Sequence, residues 1–314
     1  MAAAGVRAMH SGSHLERVLT SGTFAVTAEI APPASADATE IRRHASQYRG
    51  VVDACNVTDC TRALVRISSL AAATVVIQEG LEPVMQMVLR DRNRIALQAD
   101  LLGAAALGVR NVLCLWGDPP TAGNETAAKG VFDLKTEEMI EMFRTLRDTG
   151  VLRGGDKVEH PPKMFIGAAA DPFRGSREES FGKLRTKVTA GADFVQTQAV
   201  YDVDAFEEWM RLVRKEWLHE KVHILAGVIP LRSPKMARFM GEKLGAVIPR
   251  HIIDRMDKAP NPRAEGLSIA VRTIKALKRI EGVRGVHLMP VGWEDIVPKL
   301  VKEAGLLPRP PASS

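Results

Sequence analysis

The sequence predicts a single (β/α)8 barrel, an α/β TIM barrel with extra helices in its loops, on three observations. Apolar, often β-branched runs alternate with helical patterns from Phe24 to Ala304. The runs number eight, beginning near Phe24, Val51, Pro83, Asn111, Met164, Phe194, His223 and Gly285. The first run ends in Ala31-Pro32-Pro33, not in the GxGxxG of a doubly wound nucleotide-binding sheet, and no Walker motif follows. Strands separated by helices pair in parallel, because a parallel connection needs a crossover of about a dozen residues.

The helices carry 3.6-residue stripes. Ala38, Ile41, Ala45 and Tyr48 form one; Phe181, Leu184 and Val188 another; Val203, Phe206, Met210, Val213 and Trp217 a long one. The last holds Trp293, Val297, Leu300 and Ala304, with Gly305 as its stop. Most strand starts lie 27 to 32 residues apart. The step from Asn111 to Met164 is longer and rich in Pro and Gly. The step from His223 to Gly285 has room for an extra helix around Pro249–Lys258 before a regular one from Ala264 to Ile280. Neither has a linker's composition, so the reading is one domain: an N-terminal segment with a short helix (1–22), the barrel (23–307) and a Pro/Ser-rich frayed tail (308–314).

Composition excludes several classes. A formal charge of +6 on 314 residues is mild, and without basic runs or basic–aromatic interleaving it argues against nucleic acid. No stretch reaches the length of a membrane span, and Arg7 and His10 interrupt the apolar residues of Met1 to Ser13, unlike a signal peptide. The three cysteines, Cys55, Cys60 and Cys114, have no metal-ligand spacing and point to a reducing, cytoplasmic setting.

Barrel strands are apolar on both faces, so polar residues in them need a reason. Thr27 and Glu29 share a face of strand 1, Asn56 and Thr58 of strand 2, and Gln196 and Gln198 of strand 6. Strand 3 carries Gln86, strand 4 ends in Trp116-Gly117-Asp118, and strand 5 in Asp171. A closed barrel brings these groups to its C-terminal mouth, where active sites of this fold lie. Each alone is equally well a salt-bridged, turn-forming or packing residue; their convergence carries the functional reading. His223 and His287 read as packing residues. Two carboxylates without a metal set or nucleophile suit proton transfer beside a bound organic cofactor; the pattern alone goes no further.

The same residues carry a resemblance. Phe24-Ala25-Val26-Thr27-Ala28-Glu29-Ile30-Ala31-Pro32-Pro33, Asn56-Val57-Thr58-Asp59, Gly117-Asp118-Pro119-Pro120, Gln196-Thr197-Gln198 and Gly227-Val228-Ile229-Pro230 resemble the methylenetetrahydrofolate reductase family in order and spacing, from about Leu15 to Pro308. Gln78 to Met87, Arg90 to Gln98 and Phe165 to Ala170 resemble a branch found among acetogens. The resemblance implies the barrel, a place in one-carbon metabolism and methionine biosynthesis, and hydride transfer from reduced flavin to 5,10-methylenetetrahydrofolate. It makes Glu29 the acid that opens the folate's imidazolidine ring and Asp118 the carboxylate near flavin and iminium. Gln198 becomes a folate contact. Thr58, Gln86, Trp116, Gly117, Asp171 and Lys187 fall around the cofactor.

The chain also departs from better-known members. Gln86 stands where they have His, Trp116 where they have Arg, Thr186 replaces a basic residue beside Lys187, and Trp293 replaces an arginine near the folate tail. The tyrosine and histidine expected after strand 5 are not evident in Ala168 to Phe173. FAD is the first choice of cofactor, with FMN or flavin-free transfer as alternatives. NAD(P)H or a partner electron-transfer subunit is the reductant, and a homo-oligomer stays open. A folate-dependent methyltransferase barrel and a non-catalytic scaffold subunit are the competing functions.

Overall fold

The computed structural model describes residues 9–244 and 246–311. The first eight residues of the N-terminal segment and the last three of the tail lie outside them. The strands are β1 Ala25–Ile30, β2 Ala54–Val57, β3 Pro83–Val88, β4 Asn111–Leu115, β5 Phe165–Ala170, β6 Phe194–Ala199, β7 His223–Val228 and β8 Val283–Leu288. They close in sequence order into a parallel barrel, β1 pairing with both β2 and β8. This is the predicted (β/α)8 fold. Strand β2 begins three residues later than its apolar run, because the left-handed Gly50 makes Val51 and Val52 part of the turn that ends the preceding helix.

The helices among the described residues are α1 His14–Thr20, α2 Thr39–Tyr48, α3 Ser69–Gln78, α4 Arg94–Ala106, α5 Thr136–Thr149, α6 Arg177–Ala190, α7 Val203–Lys215, α8 Pro234–Leu244, α9 Arg250–Lys258, α10 Pro262–Leu277 and α11 Val297–Glu303. The long β7–β8 step holds the expected α9 and α10 and also α8, whose stripe packs Ala237 and Met240 against Ile252 and Met256 of α9 and Ile269 of α10. No helix is long and apolar enough to cross a membrane among the described residues.

Alternation along each strand sorts the core. Val26, Ala28, Ile30, Cys55, Val57, Met85, Met87, Val112 and Cys114 face the surrounding helices. Ala25, Ala54, Val84, Leu113, Phe165, Phe194 and Leu225 fill the lower barrel interior, closed from below by Leu15, Val18 and Leu19 of α1. Glu82 pins that plug: its carboxylate accepts from His14 N (2.6 Å) and Leu15 N (2.9 Å), two donors that the start of a helix leaves unpaired. Gly167 makes room for the layer, since a Cβ there would lie 2.3 Å from the Phe194 ring. Of the tail expected to fray, Arg309 is fixed: it binds the buried Asp53 at 2.5 Å and Phe24 O at 2.9 Å. Above the apolar layer the interior turns polar.

Candidate active site

The polar layer is one connected set of hydrogen bonds. Asn56 and Gln196, facing each other from β2 and β6, exchange amide bonds of 2.7 and 2.9 Å. Gln196 Nε2 also donates to Thr27 Oγ1 at 3.0 Å. That hydroxyl, with its oxygen accepting, turns its hydrogen to His287 Nδ1 at 3.0 Å, a shorter path than Val286 O at 3.5 Å. Nδ1 is then an acceptor, and the ring proton sits on Nε2, 3.6 Å from Glu29 Oε1. Glu29 Oε1 also accepts from Gln86 Nε2 at 2.9 Å. Buried polar groups that satisfy one another in this way hold a single arrangement, because breaking one member strands its neighbours.

His287 therefore belongs to the site, although the sequence reading passed over it as a packing residue. It is 3 % exposed and does pack in the barrel. The missed signal was its period-two alignment with the polar face of strand 1: Thr27 pairs with His287 across the β1–β8 junction. Asn56 and Gln196, noted only as face-sharers, form the base of the network. Tyr48 adds a support beneath Glu29, its hydroxyl within 3.4 Å of Glu29 O and 3.3 Å of Glu294 O, and burial pushes the phenol well above its ordinary range.

The other predicted residues sit around this centre. Thr58 and Gln86 are buried at the tops of β2 and β3. Gly117 turns the chain after β4 with φ 90°; a Cβ there would lie 3.1 Å from the Cβ atoms of Arg90 and Val88. That turn exposes Asp118, whose carboxylate accepts from Arg62 N at 2.9 Å. Arg62 lies in a short segment where Cys60, Arg62 and Ala63 all have left-handed backbones, so a strained loop holds one side of Asp118. Trp116, 49 % exposed, stacks on Phe132 at 4.6 Å and 18°. Gln198 is exposed at the end of β6.

Asp171 and Lys187 stand apart. Asp171 Oδ1 accepts from Phe173 N at 3.1 Å, a local turn bond. Lys187 Nζ donates to Ala169 O at 2.7 Å, and burial lowers its pKa from the ordinary lysine value. Neither is joined by a hydrogen bond to the Glu29 network.

Fold and site together define a barrel of the enzyme kind, with an acid held at the mouth by a buried polar network and a second carboxylate on the facing loop. The family is specific. The family model for methylenetetrahydrofolate reductase matches residues 14–305, and the chain belongs to that family. Methylenetetrahydrofolate reductase 1 of Schizosaccharomyces pombe is 27 % identical over 219 residues, covering 67 % of this chain and 34 % of the yeast protein. The 5,10-methylenetetrahydrofolate reductase of Pectobacterium carotovorum is 22 % identical over 239 residues, covering 75 % of this chain and 74 % of the bacterial one. The chain thus spans about a third of the length of the eukaryotic relative. A solved Clostridium thermocellum protein, described as binding two copies of 5-methyl-5,6,7,8-tetrahydrofolic acid, superposes with a TM-score of 0.66 over 93 % of this chain and 98 % of that one; at 16 % identity the likeness is of fold.

Proposed function

We propose that this chain reduces 5,10-methylenetetrahydrofolate to 5-methyltetrahydrofolate, with Glu29 as the proton donor. The observation that supports this most is the one-sided engagement of Glu29. Oε1 takes the Gln86 amide hydrogen and faces the His287 Nε2–H. A protonated carboxyl held this way carries its hydrogen on Oε2, the oxygen left for a ligand. Delivering that proton to the folate opens the imidazolidine ring to an iminium ion. Asp118 lies on the opposite loop, and its negative charge favours the cation electrostatically. Gln198 offers both an amide donor and an acceptor to a pterin edge.

The residues fit a flavin ring. The Trp116–Phe132 stack is an exposed flat surface beside the side-chain-free turn at Gly117, with Thr58 and Gln86 next to it in the barrel. A bound reduced flavin would supply the hydride. The distal parts of such a cofactor find less at the two residues assigned to them, since Asp171 and Lys187 already bond to backbone. FAD is the cofactor proposed, and FMN asks less of those residues. NAD(P)H or a partner electron-transfer subunit supplies the electrons.

The purified chain should show a flavin spectrum or acquire one on reconstitution. Glu29→Gln should abolish folate reduction while flavin binding persists. A protein that binds neither FAD nor FMN and oxidises no reductant with methylenetetrahydrofolate would refute the reading; full activity in Glu29→Gln would refute the acid.

A further inference from the structure

The rim of the barrel mouth is acidic where chemistry is proposed: Glu29 and Asp118 face the ligand space. A folate carries one or more glutamates at the end away from its pterin, so its own carboxylates must leave that space past a cation. The sector between β7 and β8 offers one. Arg232 follows β7 and is exposed. Its Nη1 donates to Gly292 O at 2.7 Å, in the loop after β8 a few residues beyond His287.

The loop is shaped for that guanidinium. Val291 (φ 45°) and Gly292 (φ 71°) both take left-handed backbones. A Cβ at Gly292 would stand 3.6 Å from Nη1 and 4.0 Å from Nη2, so the glycine lets the planar group lie close over the turn. Glu294 does not neutralise it; that carboxylate accepts from Gly292 N at 3.2 Å. The neighbouring arginines are spent: Arg238 pairs with Asp257, Arg250 with Asp254, Arg255 with Glu265, and Arg43 with Asp295. Arg62, from the β2 loop, lays its guanidinium over the Phe239 ring of α8 at 5.9 Å. Among the described residues Arg232 has no carboxylate partner. One of its five N–H donors is used on a carbonyl, which fixes the fork and leaves the rest outward.

We infer that Arg232 is the residue that takes the glutamate carboxylates of the folate and so selects glutamylated over unglutamylated pterins. This rests on the proposed folate reduction. A guanidinium already held by one backbone bond loses little freedom on binding a carboxylate, and a charge-assisted pair at a rim contributes about a tenfold change in affinity.

The test is binding of 5-methyltetrahydrofolate, as mono- and triglutamate, and of 5-methyltetrahydropteroate, which lacks glutamate, to the full chain by titration calorimetry. Arg232→Gln should weaken both glutamylated ligands about tenfold and leave the pteroate unchanged, and rising salt should erase the difference. Arg232→Lys should restore part of the affinity. Equal weakening of all three ligands, or none, overturns the assignment. If the unaltered chain binds none of the three, the folate reading itself has failed; if it binds them all and Arg232→Gln changes nothing, only the role of Arg232 has.

Discussion

Thr27→Val replaces the central hydroxyl of the polar layer by a methyl of nearly the same size. Thr27 is fully buried, so no water is at hand to take the hydroxyl's place. The change removes the acceptor of the Gln196 Nε2 bond and the donor to His287 Nδ1, both at 3.0 Å. Each stranded group costs about 1–3 kcal/mol, and the added buried methyl returns somewhat under 1 kcal/mol, leaving a net loss of about 2–4 kcal/mol. At this chain length that corresponds to roughly 2 °C per kcal/mol, so the melting midpoint should fall by about 4–8 °C. Thr27→Ser keeps the hydroxyl and should lose only about 1 kcal/mol. The assays are thermal melts by circular dichroism and the rate of methylenetetrahydrofolate reduction on protein that remains folded. The rate should fall more in Val than in Ser, because the His287 proton facing Glu29 is no longer fixed on Nε2. A Thr27→Val variant melting within about 1 °C of the parent would refute the bridging role of the hydroxyl and the tautomer drawn from it.

Three further outcomes follow from the structure. Gly117→Ala should cost about 2 kcal/mol in urea unfolding, since φ 90° disfavours a side chain and its Cβ would press on Arg90 and Val88; unchanged stability would mean the turn relaxes freely. Arg309→Ala should cost about 3–5 kcal/mol, because Asp53, buried beneath the barrel, loses its guanidinium while keeping its charge; a loss under about 1 kcal/mol would show that the tail contributes little. The buried Lys187 has its pKa below the ordinary 10.5 through desolvation, so between that lowered value and 10.5 the unfolded chain binds more protons than the folded one. Stability therefore rises with pH across this window, and the melting midpoint should move in its favour relative to Lys187→Met as the pH climbs towards 10.5; a constant gap between the two would contradict the burial argument.

Much of this protein is legible in its residues. Eight apolar runs separated by helical stripes leave few ways to bury both faces of a parallel sheet, and the Ala31-Pro32-Pro33 turn removes the nucleotide-binding alternative. Period-two spacing put Thr27 with Glu29, Asn56 with Thr58, and Gln196 with Gln198 before any contact was known. These are local rules, set by backbone geometry and by the cost of leaving apolar surface in water. What they could not set is which of the converging groups touch. The helix α8 was hidden inside a long step because its few apolar positions gain meaning only against α9 and α10. His287 looked like packing because its partner Thr27 is separated from it by most of the chain and meets it only when β8 closes on β1. Arg232 and Gly292 likewise meet only through the neighbouring ends of β7 and β8. Alternation along a strand is written in adjacent residues, and so the sequence by itself determined the ring of polar side chains. Closure of the barrel decided which members bond to Glu29, because hydrogen bonds reach only about 3 Å and that distance is set by strands far apart in the chain.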